Sequence, residues 1–427
     1  MTTYSRFGSG PEISVTGVWE RPAVSRLGDT TTLMVTITTS VSDPSRLERL
    51  PIDLALVLDR SGSMAGEKLE LVKQAALEAV EHLGPEDTFS VVMFESMIQE
   101  VIMPTPGTID SRRRLAAALR DVEPGGSTNL HGGWLTGCEH LGKLMRWEDG
   151  PHVHRTVLLT DGLANVGITD PHALTVQADA LRQRGITTST MGVGFGFNEV
   201  LLSGMAEAGG GTFAYIRSPH ELMEFFQREV CGLLDVVLPQ PRLTLTLPPG
   251  MRATLVNPFP SWHDGCCLTV DLRDMAALDT LTLVFDVMTQ PGEISPIDPP
   301  SVKVGLHHDP DTGPRVDATF ESLRRVEVRE LAGMPSNTDV QVQAARLRAD
   351  RHHREAMRLD REGRVDEARE IFNRAMRTLD AAPPTEDIVA ERKEAMLLFE
   401  SVGNLSENAR KDRVFRAMYR SRGHLSP

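Results

Sequence analysis

Residues 52–64 read IDLALVLDRSGSM, and the order of apolar and polar residues in this stretch decides the fold. Residues 54–58 are an unbroken apolar run. Its length suits a strand buried on both faces, as in a parallel sheet. The run stops at Asp59; Ser61, Gly62 and Ser63 follow, and a helical pattern starts at Gly66. A carboxylate and two hydroxyls therefore fall on a loop at the carboxyl end of a central strand, where open α/β sheets place their ligands.

The chemistry implied is hard-cation binding. Mg²⁺ takes oxygen ligands in octahedral geometry, usually one or two carboxylates with waters. The three oxygen-bearing side chains in this loop cannot complete such a shell, so other loops at the same sheet edge have to contribute. Two fit. One is GGSTNL at residues 125–130, which holds Thr128; the other is TVLLTDG at 156–162, an apolar strand ending in Asp161.

The set Asp59-x-Ser61-x-Ser63, Thr128 and Asp161 resembles the metal-ion-dependent adhesion site of the von Willebrand factor A domain family, in the family's order and with no departure at the five positions. The resemblance covers about residues 50–237. It implies that Ser61, Ser63 and Thr128 bind the metal directly or nearly so. Asp59 and Asp161 would bind it directly or through water. The ion is expected to be Mg²⁺, with Mn²⁺ or Ca²⁺ as alternatives. Such an ion keeps one open position and draws a carboxylate from an Asp or Glu of a protein partner, which is binding and not catalysis.

Around this stretch strands and helices alternate. Leu69, Val72, Ala76, Val80 and Leu83 form one helical stripe closed by Gly84 and Pro85. A strand follows at Thr88–Phe94, then an edge strand near 100–103, then a short helix capped by Ser111. A helix opens after GGSTNL. Asp170-Pro171 starts another, Ile186–Val193 is a strand, Asn198 caps a helix, and Ser218-Pro219 starts the last one. Such alternation predicts a doubly wound, largely parallel Rossmann-like sheet. Gly192-x-Gly194-x-Gly196 is a tight strand-to-helix turn, since it lacks the spacing and the acidic partner of a dinucleotide loop.

On either side the pattern changes. Glu12–Trp19 and residues 31–39 alternate, as do 242–247, 268–272 and 281–287. Alternation marks half-buried antiparallel strands. The expected organisation is residues 1–49 as strands that join a β-sandwich at 238–333, with the A domain (50–237) inserted in it and a helical region at 334–427. It resembles, more loosely, bacterial relatives of the inter-alpha-trypsin inhibitor heavy chains. Within the helical region Ala356, Gly363, Ala368, Phe372 and Ala375 resemble part of a tetratricopeptide helix pair; the other reading is a helical hairpin packed on the sandwich. Arg410, Lys411, Arg413, Arg416, Arg420 and Arg422 form a basic face, either solvated or docked on an acidic surface of this chain or a partner.

The 427 residues carry 45 basic against 59 acidic groups, a net charge of −14. That argues against nucleic acid or an acidic membrane as ligand. The N-terminus shows no apolar signal segment and no run spans a bilayer. With only four cysteines and no CxxC, a cytoplasmic location is expected. Adjacent Cys266 and Cys267 read as two strand residues, and His131 as a surface residue. No GxSxG elbow or P-loop is present. The protein is therefore not expected to be an enzyme. The alternatives are an accessory subunit of a separate AAA ATPase or chelatase-like machine, or a Mg-dependent hydrolase. Lys68 is expected on a helix, facing solvent.

Overall fold

A computed structural model describes residues 2–6, 12–40, 49–145, 152–217, 219–293, 296–306, 315–403 and 407–421. Its contacts divide the chain into a unit of residues Glu48–Pro239 and a second unit made of both flanking segments, Met1–Leu47 with Gln240–Pro427. The second unit opens with β1 (Thr2–Arg6), β2 (Glu12–Trp19), β3 (Ala23–Ser25) and β4 (Asp29–Ser40).

The middle unit runs β5 (Ile52–Asp59), α1 (Glu67–Glu81), β6 (Thr88–Phe94), β7 (Ile98–Pro106), α2 (Ile109–Arg120) and α3 (Leu130–Leu144). It continues with β8 (Val153–Thr160), α4 (Pro171–Gln183), β9 (Ile186–Val193), α5 (Glu199–Ala208), β10 (Gly210–Ile216) and α6 (Pro219–Leu234). Its sheet has the order β10-β9-β8-β5-β6-β7. All neighbours are parallel except the edge strand β7, which returns antiparallel from β6.

Every residue of β5 is buried, which explains its unbroken apolar run. β9, ITTSTMGV, is equally buried although half polar. It tolerates burial because its hydroxyls are bonded: Thr187 Oγ1 to the His154 carbonyl (2.9 Å), Thr190 Oγ1 to the Leu202 carbonyl (2.8 Å), and Thr188 Oγ1 to the Trp134 indole N–H (3.1 Å). On one face Leu54, Leu56 and Leu58 pack with Leu69, Val72, Ala76 and Val80 of α1 and with Phe226 and Val230 of α6. On the other, α3 comes close to the strands through two glycines. A Cβ on Gly133 would lie 2.6 Å from Phe94, and one on Gly137 would lie 2.4 Å from Val57.

The base of β5 is held by Asp87, which is fully buried. Its carboxylate accepts both Arg49 Nη groups at 2.6 Å, the Ile52 amide at 3.0 Å and the Gly84 amide at 2.6 Å. Helix caps follow the side chains expected, with one correction. The cap of α2 is Thr108, whose Oγ1 accepts the Ser111 amide (3.3 Å); Ser111 itself is buried in the first turn. Asp170 and Asn198 cap α4 and α5 as expected, and Asn129, not singled out as a cap, caps α3. Ser218 lies outside the described residues.

In the flanking unit, one antiparallel sheet has the order β1, β2, β4, Thr280–Thr289, Met251–Leu255, so strands from both ends of the chain share it. A second runs Ser261–Asp264, Cys267–Asp271, Pro241–Thr246, Ser301–Leu306, Arg315–Thr319. Only Cys267 enters a strand; Cys266 is exposed in the turn before it, so the pair are not two strand residues. Helices α7 (Val328–Ala332), α8 (Thr338–Arg361), α9 (Val365–Asp380), α10 (Glu386–Ser401) and α11 (Glu407–Ser421) follow. Ala344 and Leu347 of α8 pack on Val256 and Val284, so the helices continue the core of the first sheet. Gly363 turns between α8 and α9 at φ +76°, and Ala356, Ala368 and Phe372 share one core there. The basic face is split. Lys411 and Arg413 are buried, and Arg413 bridges to Glu394 at 2.9 Å, whereas Arg416 is largely exposed. Arg422 lies outside the described residues.

The two glycine classes of α3 give opposite expectations. Gly137→Ala should cost about 1–3 kcal/mol through overpacking against Val57. Gly142→Ala, with its nearest neighbour 4.0 Å away, should stabilise by up to about 1 kcal/mol through helix propensity. Urea unfolding of the two variants checks both signs.

Candidate metal centre

β5 and β8 are parallel neighbours in register, Leu58 opposite Leu159, so both strands end at the same level of the sheet. Asp59 is the last residue of β5, and Asp161 follows the last residue of β8. Their carboxylates are therefore delivered to one edge. Asp59 is fully buried: its Oδ1 accepts the Ser61 amide (2.7 Å) and its Oδ2 accepts the Thr160 hydroxyl (2.5 Å). Ser61 begins a short 3-10 turn, Gly62–Met64, that brings Ser63 back over the strand end. The two serine hydroxyls lie 3.2 Å apart, and Ser63 Oγ donates to Asp161 Oδ1 at 2.6 Å.

Thr128 arrives on the loop between α2 and α3. A Cβ built on Gly162 would stand 3.5 Å from Thr128 Oγ1 and 3.6 Å from Ser63 Oγ, so both hydroxyls border the same glycine. Backbone bonds tie the three loops together. Gly62 donates to the Gly126 carbonyl (3.3 Å) and Gly125 to that of Arg60 (2.9 Å); the Thr128 amide donates to Asn165 Oδ1 (2.8 Å). A fourth loop closes in behind. A Cβ on Gly196 would fall 2.6 Å from the Asp161 carbonyl, so the glycine-rich turn after β9 is fitted against the site.

The five predicted residues thus come together. Asp59, Ser61, Thr128 and Asp161 are buried, and Ser63 alone is exposed, which gives the cluster one open side. Asn165 and Thr160 position its members without having been singled out; Asn165 carries no pattern in the sequence that separates it from any loop asparagine. His131 is half-buried and its Nε2 lies 3.0 Å from Gln177 Oε1. Lys68 does not simply face solvent. Its Nζ stands 2.5 Å from Asp161 Oδ2 and 3.2 Å from the Ser63 carbonyl. The reason is position: the second residue of α1 lies directly over the strand end, within reach of a four-carbon stem.

Residues 53–228 match the family model of the von Willebrand factor type A domain. This part of the chain is a von Willebrand factor type A domain. An uncharacterized protein of Synechocystis is 31% identical over 226 residues, 53% of this chain and 51% of that one. Human inter-alpha-trypsin inhibitor heavy chain H3 is 31% identical over 161 residues, 36% of this chain and 18% of the relative. The chain therefore spans about half the length of the one relative and much less of the other. A solved von Willebrand factor type A structure from Catenulispora acidiphila superposes with a TM-score of 0.75, over 97% of this chain and 98% of that one, at 17% identity. It shares the fold.

The donor set of the A domain is all oxygen, two carboxylates and three hydroxyls, which suits a hard divalent cation such as Mg²⁺ better than a thiolate- or imidazole-seeking metal. No cluster of three or more His, Cys, Asp or Glu side chains of metal-binding geometry is found among the described residues. Electrostatics point the same way. Burial pushes the Asp59 carboxyl up from 3.8 to about 6, against the hydrogen bonds from Thr160 and Ser61; Asp161 adds a repulsive charge. A carboxylate held at such a cost is relieved by a cation beside it.

The sign of the resulting pH dependence is fixed. The folded metal-free protein holds the Asp59 proton more tightly than the unfolded chain, so its stability should fall as pH rises from about 4 to about 6. A shift of this size corresponds to about 3 kcal/mol. Asp59→Asn should remove that dependence and raise the stability of the metal-free protein at pH 7 by up to that amount. Urea titrations in a chelator at pH 4.5 and 7 read the difference.

Proposed function

We propose that the A domain is a metal-dependent protein-interaction module. Asp59, Ser61, Ser63, Thr128 and Asp161 hold one divalent cation, Mg²⁺ in the first place and Mn²⁺ or Ca²⁺ as alternatives. The cation in turn takes a carboxylate from an Asp or Glu of a protein partner. The observation that carries this is the convergence of five oxygen-bearing side chains from three loops on one point with a single exposed member, Ser63. Three of the five donors are neutral, so a bound divalent ion keeps Lewis acidity for an outside anion.

Binding fits the surroundings better than catalysis. The nearest basic side chain, Lys68, is engaged with Asp161 rather than with a serine hydroxyl, and His131 is turned to Gln177. The base bonded to Ser63 Oγ is the Asp161 carboxylate, a weak one already paired with Lys68, and neither Lys68 nor His131 is bonded to a serine hydroxyl as the activating base of a nucleophilic serine would be. Large apolar side chains stand exposed on the loops of this sheet edge: Met97 after β6, Leu163 and Ile168 after β8, and Phe195 after β9. Exposed apolar groups beside a polar centre are typical of interaction surfaces.

The flanking unit is read as a β-sandwich interrupted by the A domain, with strands from residues 1–49 and 238–333 and a helical region at 334–427. Supporting this, the Phe320 ring, next to a strand of the second sheet, lies against Gly17 of the first, where a Cβ would be 2.4 Å away. A cytoplasmic setting is in keeping with four unpaired cysteines. No described helix is long and apolar enough to cross a membrane.

Thermal melts of wild type and Asp161→Ala, in EDTA and in excess Mg²⁺, test the cation. A ligand specific to the folded state stabilises by about 2.7 kcal/mol at a hundredfold excess over its Kd. That gain is expected in wild type and absent in the variant. Immobilised protein should then capture its partner in Mg²⁺ and release it in EDTA. Capture that persists in EDTA and in Asp161→Ala would sink the metal-bridged reading; an ATPase among the captured proteins would favour the accessory-subunit alternative.

A further inference from the structure

Lys68 is out of place by the ordinary rules for helices. It is the second residue of α1, a first turn that also holds Glu67 and Glu70, and a helix N-terminus favours negative charge. Its ammonium nevertheless faces the metal cluster. It meets Asp161 Oδ2 at 2.5 Å and the Ser63 carbonyl at 3.2 Å, while Ser63 Oγ occupies the other oxygen of Asp161 at 2.6 Å. Both oxygens of a carboxylate 1% exposed are thereby engaged from within the chain. The lysine is differently placed: its side chain is 36% exposed, on the solvent side of the ion pair, and its stem is long and unbranched. It is a cation that can leave.

We propose, resting on the metal-binding reading above, that Lys68 is a tethered counter-cation that competes with the divalent ion and then makes the loaded site receptive to a partner's carboxylate. The charges explain both halves. Asp59 and Asp161 carry two negative charges against the one positive charge of Lys68. In the metal-free protein the lysine covers part of that deficit, so an incoming ion has to displace it from Asp161 and gains less than it would from a bare pair of carboxylates. Once the ion is bound, the deficit of one becomes an excess of one. A single carboxylate cancels that excess. Lys68 therefore weakens the metal alone and strengthens metal and carboxylate together, a coupling that is reciprocal by linkage.

The test is calorimetric Mg²⁺ titration of the full chain as wild type, Lys68→Met, Lys68→Arg and Asp161→Ala, with and without saturating acetate as the carboxylate probe. Lys68→Met is expected to bind Mg²⁺ about tenfold more tightly without acetate, equivalent to about 1.4 kcal/mol, and Lys68→Arg about as wild type. Acetate should tighten Mg²⁺ binding in wild type and clearly less in Lys68→Met. Metal affinity in Lys68→Met that is equal to or below wild type would overturn the proposal and make Lys68 a residue that only orients Asp161. Equal acetate coupling in both proteins would overturn its second half. If neither wild type nor Lys68→Met binds Mg²⁺, with or without acetate, the metal-binding reading fails and the proposal with it. Mg²⁺ binding that survives in Asp161→Ala would place the ion elsewhere and overturn both.

Discussion

The register between β5 and β8 is the constraint on which the rest depends. Two parallel strands that pair residue for residue end at one level, so a carboxylate at each end arrives at the same place without any further device. Everything local serves to keep that meeting tolerable. Thr160 and the Ser61 amide satisfy Asp59, Ser63 and Lys68 satisfy Asp161, and the loop carrying Thr128 is tied down through Asn165. At the other end of β5, Arg49 and Asp87 anchor the strand, so the position of its carboxyl end is set from below as well as from its sides.

Much of this was legible in the sequence because short-range pattern and long-range pattern agreed. An apolar run ending in DRSGSM says strand and loop at once; TVLLTDG says it again, and GGSTNL supplies the remaining hydroxyl. What could not be read was anything that depends on which side chain reaches across. Lys68 looks like any first-turn lysine until α1 is laid over the strand end. Thr160 looks like a strand threonine until β5 and β8 are paired, and Thr108 competes with Ser111 for the cap of α2 on equal terms. β9 is a harder case. Half of its residues are polar, yet all eight are buried, because neighbouring carbonyls and an indole N–H accept or supply the bonds that water would otherwise make.

The flanking unit shows the same division. Alternation in 12–19 and 281–287 announces antiparallel strands, but only pairing reveals that β4 and Thr280–Thr289 are neighbours although 240 residues of chain separate Thr39 from Asp279. In the helices, a row of basic residues gives no clue to which of them are solvated. Arg413 goes inside because Glu394 and Glu391 of α10 face it, whereas Arg416 stays at the rim. The buried charge of Arg413 is matched by carboxylates on a helix earlier in the chain, which periodicity alone does not disclose.

The in-register pairing of β5 and β8 also has a mechanical side. A pull on the side chains of Asp59 and Asp161 runs along the two strands at the middle of a six-stranded sheet. Strands drawn lengthwise load their ladder bonds all together, in shear, whereas strands peeled from an edge lose them one after another. β7, the antiparallel edge strand, lies away from that line of force. A tether attached at this end of the sheet would thus pull along the strands and not across them.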